Sequence, residues 1–157
     1  MPVEKDEFRT ALGRFASGVT VITVRTADQQ PHGMTVSAFS SLSLEPPLVL
    51  VCIDKNASLH PCLKEGDSFA VNILSEEQET VSRRFASREG DRFDGIGYAL
   101  GVLGSPLLEG AMAHLECKVK MVYPGGDHTI FVGEVEATTV AEGRPLTYYR
   151  GGYARLS

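Results

Sequence analysis

Small hydroxyl side chains crowd the segment GMTVSAFSSLSLEPPLVLVCI, at residues 33–53, just before its apolar, strand-like half. The hydroxyls belong to Thr35, Ser37, Ser40, Ser41 and Ser43. They could bond their own backbone in a serine-rich bend between strands. Alternatively, hydroxyls and backbone amides at a strand end can bind a phosphate or the polar edge of a heterocycle. The bend is the commoner arrangement, and the residues alone leave both interpretations open.

Basic side chains that could meet an anion lie in two further segments. DKNAS, at residues 54–58, opens a predicted short helix whose N-terminal amides, with Lys55, would favour a negative group. A capped surface helix explains the same residues. Arg83 and Arg84 end a later predicted helix, where the macrodipole already favours cations. Either guanidinium could instead bind a phosphate in bidentate fashion.

Two candidate sites for a planar ligand lie near the end of the sequence. GGDHTIF, at residues 125–131, places His128 beside a glycine turn at the start of a predicted strand, where an imidazole can orient a flat ring. A simple turn histidine is the alternative. TYYRGGY, at residues 147–153, is aromatic and flexible, so it could lie over an aromatic ligand or form a tyrosine-rich edge strand.

The sequence lacks the motifs of several other catalytic classes. No G-x-G-x-x-G opens a helix after the first predicted strand, and no P-loop occurs. No nucleophile elbow supports a Ser-His-Asp triad. His60 and Cys62 have no second pair at zinc-ligand spacing, so no metal site is predicted.

Composition narrows the class of protein. A chain of 157 residues with a net charge of −5 and no long basic cluster does not suit nucleic acid or an anionic membrane surface. The first ten residues contain no apolar signal region, and no window has the ~18 apolar residues of a membrane span. Three cysteines without a CxxC pair favour a reduced, cytoplasmic setting.

The hydrophobic pattern predicts the elements that must position these residues. Asp6 is expected to cap a helix that buries Phe8, Ala11, Leu12 and Phe15 and ends at Gly18. Residues 19–24 and 32–36 read as a hairpin. Residues 48–53 are apolar on both faces, which predicts a central strand.

The second half of the chain is predicted to add further antiparallel strands and two helices. We predict a short helix from Ser58 to Gly66, a strand at 68–74, and a helix that begins with a Ser75–Gln78 capping box. Residues 88–104 read as a loop. Long strands at 112–123 and 128–140 form a hairpin around a turn at 124–127, and residues 146–153 form a last strand. Helices and strands do not alternate regularly, so a mainly β fold in one domain, residues 1–157, is predicted.

Taken in order, these segments resemble the flavin reductase family, the small NAD(P)H:flavin oxidoreductases that serve two-component flavin-dependent monooxygenases. The similar stretches are FRTALGRFASGVTVIT, HGMTVSAFSSLSLEPPLVLVCID, FAVNILSEEQ, RRFA, GDHTIFVGEV and PLTYYRGGY. Each stretch is loose alone, but their order and spacing are specific. The resemblance covers nearly the whole chain.

The resemblance implies an FMN-binding split β-barrel, antiparallel and Greek-key-like with a few short helices, that works as a homodimer. It assigns flavin contacts to Thr35, Val36, Ser37, Ala38, Phe39, Ser41 and Leu42. It assigns the ribityl and phosphate contacts to Asp54, Lys55, Asn56, Ala57 and Ser58, and a further flavin wall to Arg84, Phe85 and Ala86. It assigns contacts with the nicotinamide nucleotide to Tyr149, Arg150, Gly151 and Gly152.

The implied reaction passes a hydride from NADH or NADPH to a flavin, with His128 orienting the nicotinamide. FMN is expected ahead of FAD, because nothing obvious in the sequence is dedicated to an adenosine. Reduced flavin would diffuse to a separate monooxygenase. Three alternatives remain on the sequence alone: a non-enzymatic FMN-binding electron carrier, an oxidase of the pyridoxamine-phosphate type on the same barrel, and an interaction module.

Overall fold

Antiparallel strands make up most of the structure, a computed structural model that describes residues 2–88 and 90–157. The structure has two α-helices, α1 (Lys5–Leu12) and α2 (Glu79–Ala86). Two single 3-10 turns lie at His60–Cys62 and Glu76–Gln78. The strands of the first half are β1 (Ser17–Gly18), β2 (Thr20–Arg25), β3 (Pro31–Val36), β4 (Phe39–Ser43), β5 (Leu48–Asp54) and β6 (Ser68–Ile73). Those of the second half are β7 (Tyr98–Leu100), β8 (Pro106–Leu108), β9 (Ala113–Gly125), β10 (His128–Val140), β11 (Thr147–Tyr149) and β12 (Gly152–Ala154).

The main sheet closes on itself. Its strands lie in the order β3-β2-β6-β9-β10-β5-β4, and each neighbouring pair is antiparallel. A flat sheet would separate β3 from β4 by about 29 Å at the usual spacing of about 4.8 Å. Only Ser37 and Ala38 connect the two strands, and the Cα steps from Val36 to Phe39 span at most about 11 Å. The sheet must therefore curl into a barrel.

The barrel is split between its two edge strands. In the described sheet, β3 pairs only with β2, and β4 pairs only with β5. The chain crosses this gap at residues 35–39, which we call the seam. The predicted split β-barrel is confirmed, and the hydroxyl-rich segment runs along the seam.

Two apolar clusters fill the barrel and its flank. The larger includes Val51, Ile53, Phe69 and Phe131, all buried inside the barrel. The smaller, around Phe85, packs α2 against the outside of the barrel. In β5, Val49, Val51 and Ile53 point inward, whereas Leu48, Leu50, Cys52 and Asp54 alternate with them on a half-buried outer face. The second apolar face of this strand is therefore outside the main core.

Helix α2 is fixed to β3 by close packing. The predicted capping box is confirmed, since the Gln78 side chain accepts a hydrogen bond of 2.9 Å from the Ser75 N–H. The Phe85 ring lies so near Gly33 of β3 that a Cβ there would come within 2.8 Å of it. Thr35 Oγ1 adds a 2.6 Å hydrogen bond to the Ser82 carbonyl.

The first helix differs from its prediction in cap, end and burial. Its N-cap is Glu4, not Asp6, and Gly13 rather than Gly18 caps its C-terminus. The reason is that the chain leaves the helix at Gly13 to pair β1 with β11. The predicted buried face is exposed, because the described part of the chain places no element over it, and Phe15 is 81% exposed.

Three other predicted boundaries shift. The short helix is only a 3-10 turn with Leu59 as N-cap, because the chain turns extended at Leu63. The last predicted strand is a hairpin, β11–β12, whose turn residues Arg150 and Gly151 both have positive φ. The predicted loop at 88–104, in which Glu89 lies outside the described residues, contains β7, which pairs with β8.

The long predicted hairpin is confirmed, but its turn is tighter than expected. Pro124 and Gly125 continue β9, and the turn is made by Gly126 and Asp127 alone. Gly126 takes the positive φ, 67°, that such a turn requires. Across the described residues, none of the helices has the length and apolar character needed to cross a membrane.

We predict that Gly133→Ala destabilises the barrel. A Cβ at Gly133 would lie 2.6 Å from the Phe69 ring and 2.9 Å from the Cys117 Cβ, both inside the core. Overpacking of this kind lowers the free energy of unfolding by about 1–3 kcal/mol, which urea denaturation measures. Gly18→Ala is the control, because nothing lies within 4 Å of the Cβ it adds. Equal losses in the two variants would contradict the packing described above.

Candidate functional site

Two cavities lie on either side of the seam. The first, of about 450 Å³, lies between the end of β5 and helix α2 and is lined by Thr35, Asp54, Ala57 and Phe85 among others. The second, of about 620 Å³, is lined by Ser37, Ala38 and Phe39, the outer face of β5, and the β11–β12 turn. We call them the inner and the wide cavity. Seam residues contribute to both.

In and just after the seam, the hydroxyls of Ser37 and Ser41 are free to bind a ligand, whereas Thr35 Oγ1 is used by the Ser82 carbonyl. Ser40 Oγ donates to the neighbouring Ser41 carbonyl, as expected of a bend residue. Within the described residues, the Ser37 and Ser41 hydroxyls have no hydrogen-bond partner, and both side chains are exposed. Self-bonding in a bend therefore accounts for Ser40 but not for Ser37, which faces the wide cavity.

Three predicted flavin contacts, one in the seam and two in β4, are placed less favourably. The Val36 side chain is buried in the barrel core, so only its main chain can face a ligand. Ser41 and Leu42 lie further along β4 and line neither of the two cavities. Their predicted role would need a ligand that extends past Phe39.

The segment after β5 is a turn and not a helix N-terminus. The Asp54 carboxylate accepts a 2.8 Å hydrogen bond from the Asn56 N–H, and the Ala57 N–H bonds the Asp54 carbonyl. Asp54, Asn56, Ala57 and Ser58 line the inner cavity, whereas Lys55 does not. The prediction that a helix N-terminus here would favour a negative group is wrong, since the following 3-10 turn has only three residues. What the turn offers a ligand is the exposed Ser58 hydroxyl and the Asn56 amide.

The end of α2 supplies a floor to the inner cavity but no free arginine. Phe85 and Ala86 line it. Arg84 donates a 2.5 Å hydrogen bond to the Asp94 carbonyl and lines neither cavity. Arg83 pairs with Glu79 at 3.1 Å and lies over the Tyr153 ring. Both predicted phosphate ligands therefore have structural partners.

His128 is the first residue of β10 and lies directly across from Asp54, the last residue of β5. Its Nδ1 is 2.8 Å from the Asp127 carboxylate. The hydrogen bond from His128, followed by its charge, lowers the pKa of Asp127, so this carboxylate is ionised at neutral pH and can only accept. Nδ1 is therefore committed to this carboxylate, and Nε2 is left free to hydrogen-bond a ligand. The imidazole lines neither cavity, but Asp54, its partner in β5, lines the inner one.

The β11–β12 turn forms one wall of the wide cavity. Tyr149, Arg150 and Gly151 line it, opposite Ser37 and Phe39. The Arg150 N–H donates a 2.9 Å hydrogen bond to the Gly13 carbonyl, which holds the turn against the end of α1. Gly152 begins β12 and is not part of the lining.

Sequence reasoning missed two sets of lining residues. Arg88 and Arg92 line the inner cavity, although they lie in a segment without periodicity. Their spacing of four positions in a Gly/Asp-rich stretch was the available signal. Leu50 and Cys52 line the wide cavity from the outer face of β5. Their signal is the second apolar face of residues 48–53, which is typical of a central strand.

These features fit the flavin that the resemblance implies. The wide cavity combines an apolar floor, tyrosine rings and a free hydroxyl, which suits a flat ring with one polar edge. The inner cavity combines a serine hydroxyl with two guanidinium groups, which suits a phosphate. Among the described residues, no group of three or more His, Cys, Asp or Glu side chains could hold a metal ion.

Comparison with known proteins gives a consistent result. Residues 12–157 match the family described as flavin reductase like domain. A reductase component of 4-hydroxyphenylacetate 3-monooxygenase from Thermus thermophilus is 46% identical over 153 residues, which covers 97% of each chain. The FMN reductase (NADH) SmoA of Agrobacterium fabrum is 43% identical over 150 residues, covering 96% of this chain and 85% of that protein.

Solved structures share the fold as well. The NADH:FAD oxidoreductase SgcE6 of Streptomyces globisporus, in complex with NAD and FAD fragments, superimposes with a TM-score of 0.93 at 42% sequence identity. The match covers 98% of this chain and 93% of that one.

Proposed function

We propose that this chain, which belongs to the flavin reductase family, catalyses the reduction of a flavin by NADH or NADPH. One domain, residues 1–157, carries the activity. The observation that carries the proposal is the pairing of two cavities at the seam, one suited to a flat ring and the other to a phosphate. The related SmoA and SgcE6 are both named as NADH-dependent enzymes, one for FMN and one for FAD.

The protein contributes binding and orientation to this reaction. The flavin, when bound, supplies the acceptor for the hydride of the nicotinamide. The free hydroxyl of Ser37 and the seam amides are preorganised donors for the ring edge that becomes negative. Ser58 and Asn56 hold the ribityl and phosphate portion, and the Phe85–Ala86 floor supports it. No nucleophile is required of the chain.

The nicotinamide is held from the other side of the wide cavity. Tyr149 and the Arg150–Gly151 turn form the wall against which it rests. His128 orients its carboxamide, because the hydrogen bond of Nδ1 to Asp127 leaves Nε2 free to hydrogen-bond the carboxamide. Hydride transfer requires that the protein hold the two rings stacked at about 3–3.5 Å.

The product is released to a separate oxygenase. The Thermus thermophilus relative is named as a reductase component of a monooxygenase. We extend that role to this chain, since the seam residues Ser37 and Ala38 are exposed and nothing in the described chain closes over them. An oxidase of the pyridoxamine-phosphate type and an electron carrier receive no comparable support, because SmoA and SgcE6 are both named for flavin reduction by NADH.

The direct test measures loss of NADH absorbance with purified protein and either FMN or FAD, then repeats it with NADPH. We expect turnover that depends on both the flavin and the nicotinamide. An electron carrier would bind flavin and give no turnover. Protein that neither binds a flavin nor consumes a reduced nicotinamide would overturn the proposal.

We predict that His128→Ala raises the KM for NADH roughly three- to tenfold, the loss expected of one hydrogen bond. Asp127→Ala should cause a smaller rise in the same direction, since the ring remains but its tautomer is no longer fixed. The dissociation constant of the flavin, measured by fluorescence quenching, should change in neither variant. Unchanged NADH kinetics in His128→Ala would remove this residue from the mechanism.

We further propose that the protein works as a homodimer. Helix α1 has no buried residue, although its Phe8 and Leu12, and Phe15 just after it, are apolar and more than half exposed. An apolar patch of this kind marks a contact surface. Leu12 and Phe15 also line the wide cavity, so a partner that covers α1 would complete its wall.

We predict that wild-type protein elutes with twice the mass of its 17.0 kDa chain in light-scattering chromatography, and that Phe15→Lys reduces that mass to one chain. The same variant should weaken flavin binding, because the cavity wall is incomplete. Glu7→Lys, an exposed charge change on the neighbouring helix α1, should stay dimeric. A monomeric wild type would refute the homodimer.

We place the protein in the cytoplasm. All three cysteines are free thiols. Burial raises the pKa of the Cys117 thiol to about 12, so this group stays protonated and inert in the core. Free thiols suit a reducing compartment.

A further inference from the structure

We propose that Ser82 of α2 and Tyr153 of β12 are positioning residues. Their hydrogen bond sets the separation between the β11–β12 wall of the wide cavity and the seam, and thereby the rate of hydride transfer. The proposal rests on the flavin reductase activity proposed above and deepens it. Neither residue lines the inner or the wide cavity, so each acts through its neighbours.

The two hydroxyls meet at a buried point between α2 and the β11–β12 hairpin. Ser82 Oγ lies 2.7 Å from the Tyr153 hydroxyl, so one of them donates a hydrogen bond to the other. Ser82 is fully buried, and Tyr153 packs against the apolar cluster around Phe85. The Arg83 guanidinium lies over the Tyr153 ring, 4.8 Å from its centroid. Tyr153 therefore joins the hairpin to α2 through both its ring and its hydroxyl.

From Tyr153 the contact continues to the wall of the wide cavity. Tyr153 is the direct cross-strand partner of Tyr148 in β11, and the two rings meet edge to face with their centroids 5.6 Å apart. Tyr148 lines the wide cavity beside Tyr149. In the described sheet, β12 is an edge strand that pairs only with β11. A shift of Tyr153 would therefore move Tyr148 with it.

From Ser82 a second contact leads to the seam. The Ser82 carbonyl accepts the 2.6 Å hydrogen bond from Thr35 Oγ1, and Thr35 lines the inner cavity. One residue of α2 therefore holds the flavin side with its main chain and the nicotinamide side with its hydroxyl. Hydride transfer needs the two rings at about 3–3.5 Å, and a displacement of about 1 Å can cost about 10²-fold in rate. The link through Ser82 lies where it decides that distance.

Stability alone does not explain a pair of hydroxyls at this point. Ser82→Ala combined with Tyr153→Phe would keep the ring contacts, and replacing both partners of a hydrogen bond by apolar groups is nearly neutral for stability. Apolar packing is non-directional, whereas a hydrogen bond fixes both a distance and a direction. The hydroxyl pair therefore adds a defined geometry to a contact that packing would already hold.

The test mixes full-length protein, in excess over FMN, with NADH under anaerobic conditions in a stopped-flow instrument. Bleaching of the flavin absorbance gives the rate constant of hydride transfer. We expect Tyr153→Phe and Ser82→Ala each to lower this rate constant roughly three- to tenfold, the loss of one hydrogen bond. The dissociation constant of FMN, from fluorescence quenching, should stay within about twofold of wild type. Tyr98→Phe is the matched control, an exposed tyrosine of β7 that lines neither cavity, and it should change neither quantity.

The double variant separates positioning from stability. In either single variant one hydroxyl loses its partner, which lowers the melting temperature. Combining Ser82→Ala with Tyr153→Phe removes both hydroxyls, so the melting temperature should recover while the rate constant stays low.

Three results would overturn the positioning role while turnover by the wild type stands. They are a rate constant that recovers together with the melting temperature, an unchanged rate constant in Tyr153→Phe, and a loss of FMN affinity as large as the loss of rate. A wild type that transfers no hydride to a flavin would instead contradict the proposed function.

Discussion

The rest of the structure depends on one geometric constraint, the two-residue link between the edge strands of the main sheet. Ser37 and Ala38 must bridge β3 and β4, so the sheet has to close, yet the strands at the seam do not pair with each other. The seam therefore exposes main-chain groups and hydroxyls that an ordinary barrel would use internally. Both ligand cavities lie along it. The hydroxyl-rich segment lies where the two edge strands of the barrel stay unpaired with each other.

Some elements around the seam support the cavities rigidly, and others form the walls that contact a ligand. Helix α2 is fixed to β3 by the Gly33–Phe85 packing and the Thr35–Ser82 hydrogen bond, so the inner cavity has a rigid wall. The opposite wall of the wide cavity is a hairpin turn tied to α1 by a single described backbone hydrogen bond, from Arg150 to Gly13. A reaction between two bound cofactors needs such walls more than it needs reactive side chains, which agrees with the lack of a catalytic triad.

Much of this could be predicted from the sequence, where the signal was local. The capping box at Ser75, the β2–β3 hairpin and the β9–β10 hairpin follow from spacing and turn residues alone. The errors lie where tertiary structure decides. The apolar face of α1 was predicted to be buried, but no described element covers it. Arg84 was predicted to face the flavin, but it bonds Asp94 of a loop whose path the sequence does not show. Arg88 and Arg92 were missed because only the course of that loop brings them to a cavity.

The strand order also has a consequence for how the chain folds. Hairpins such as β2–β3 and β9–β10 can form early, but the pairings of β5 with β10 and of β6 with β9 join segments that are distant along the chain. Such high contact order slows folding, since loop entropy is lost before the pairing stabilises anything. The seam exists only once both distant pairings are made. Flavin capture during refolding therefore reports completion of the whole barrel, and partly folded intermediates are silent in that assay.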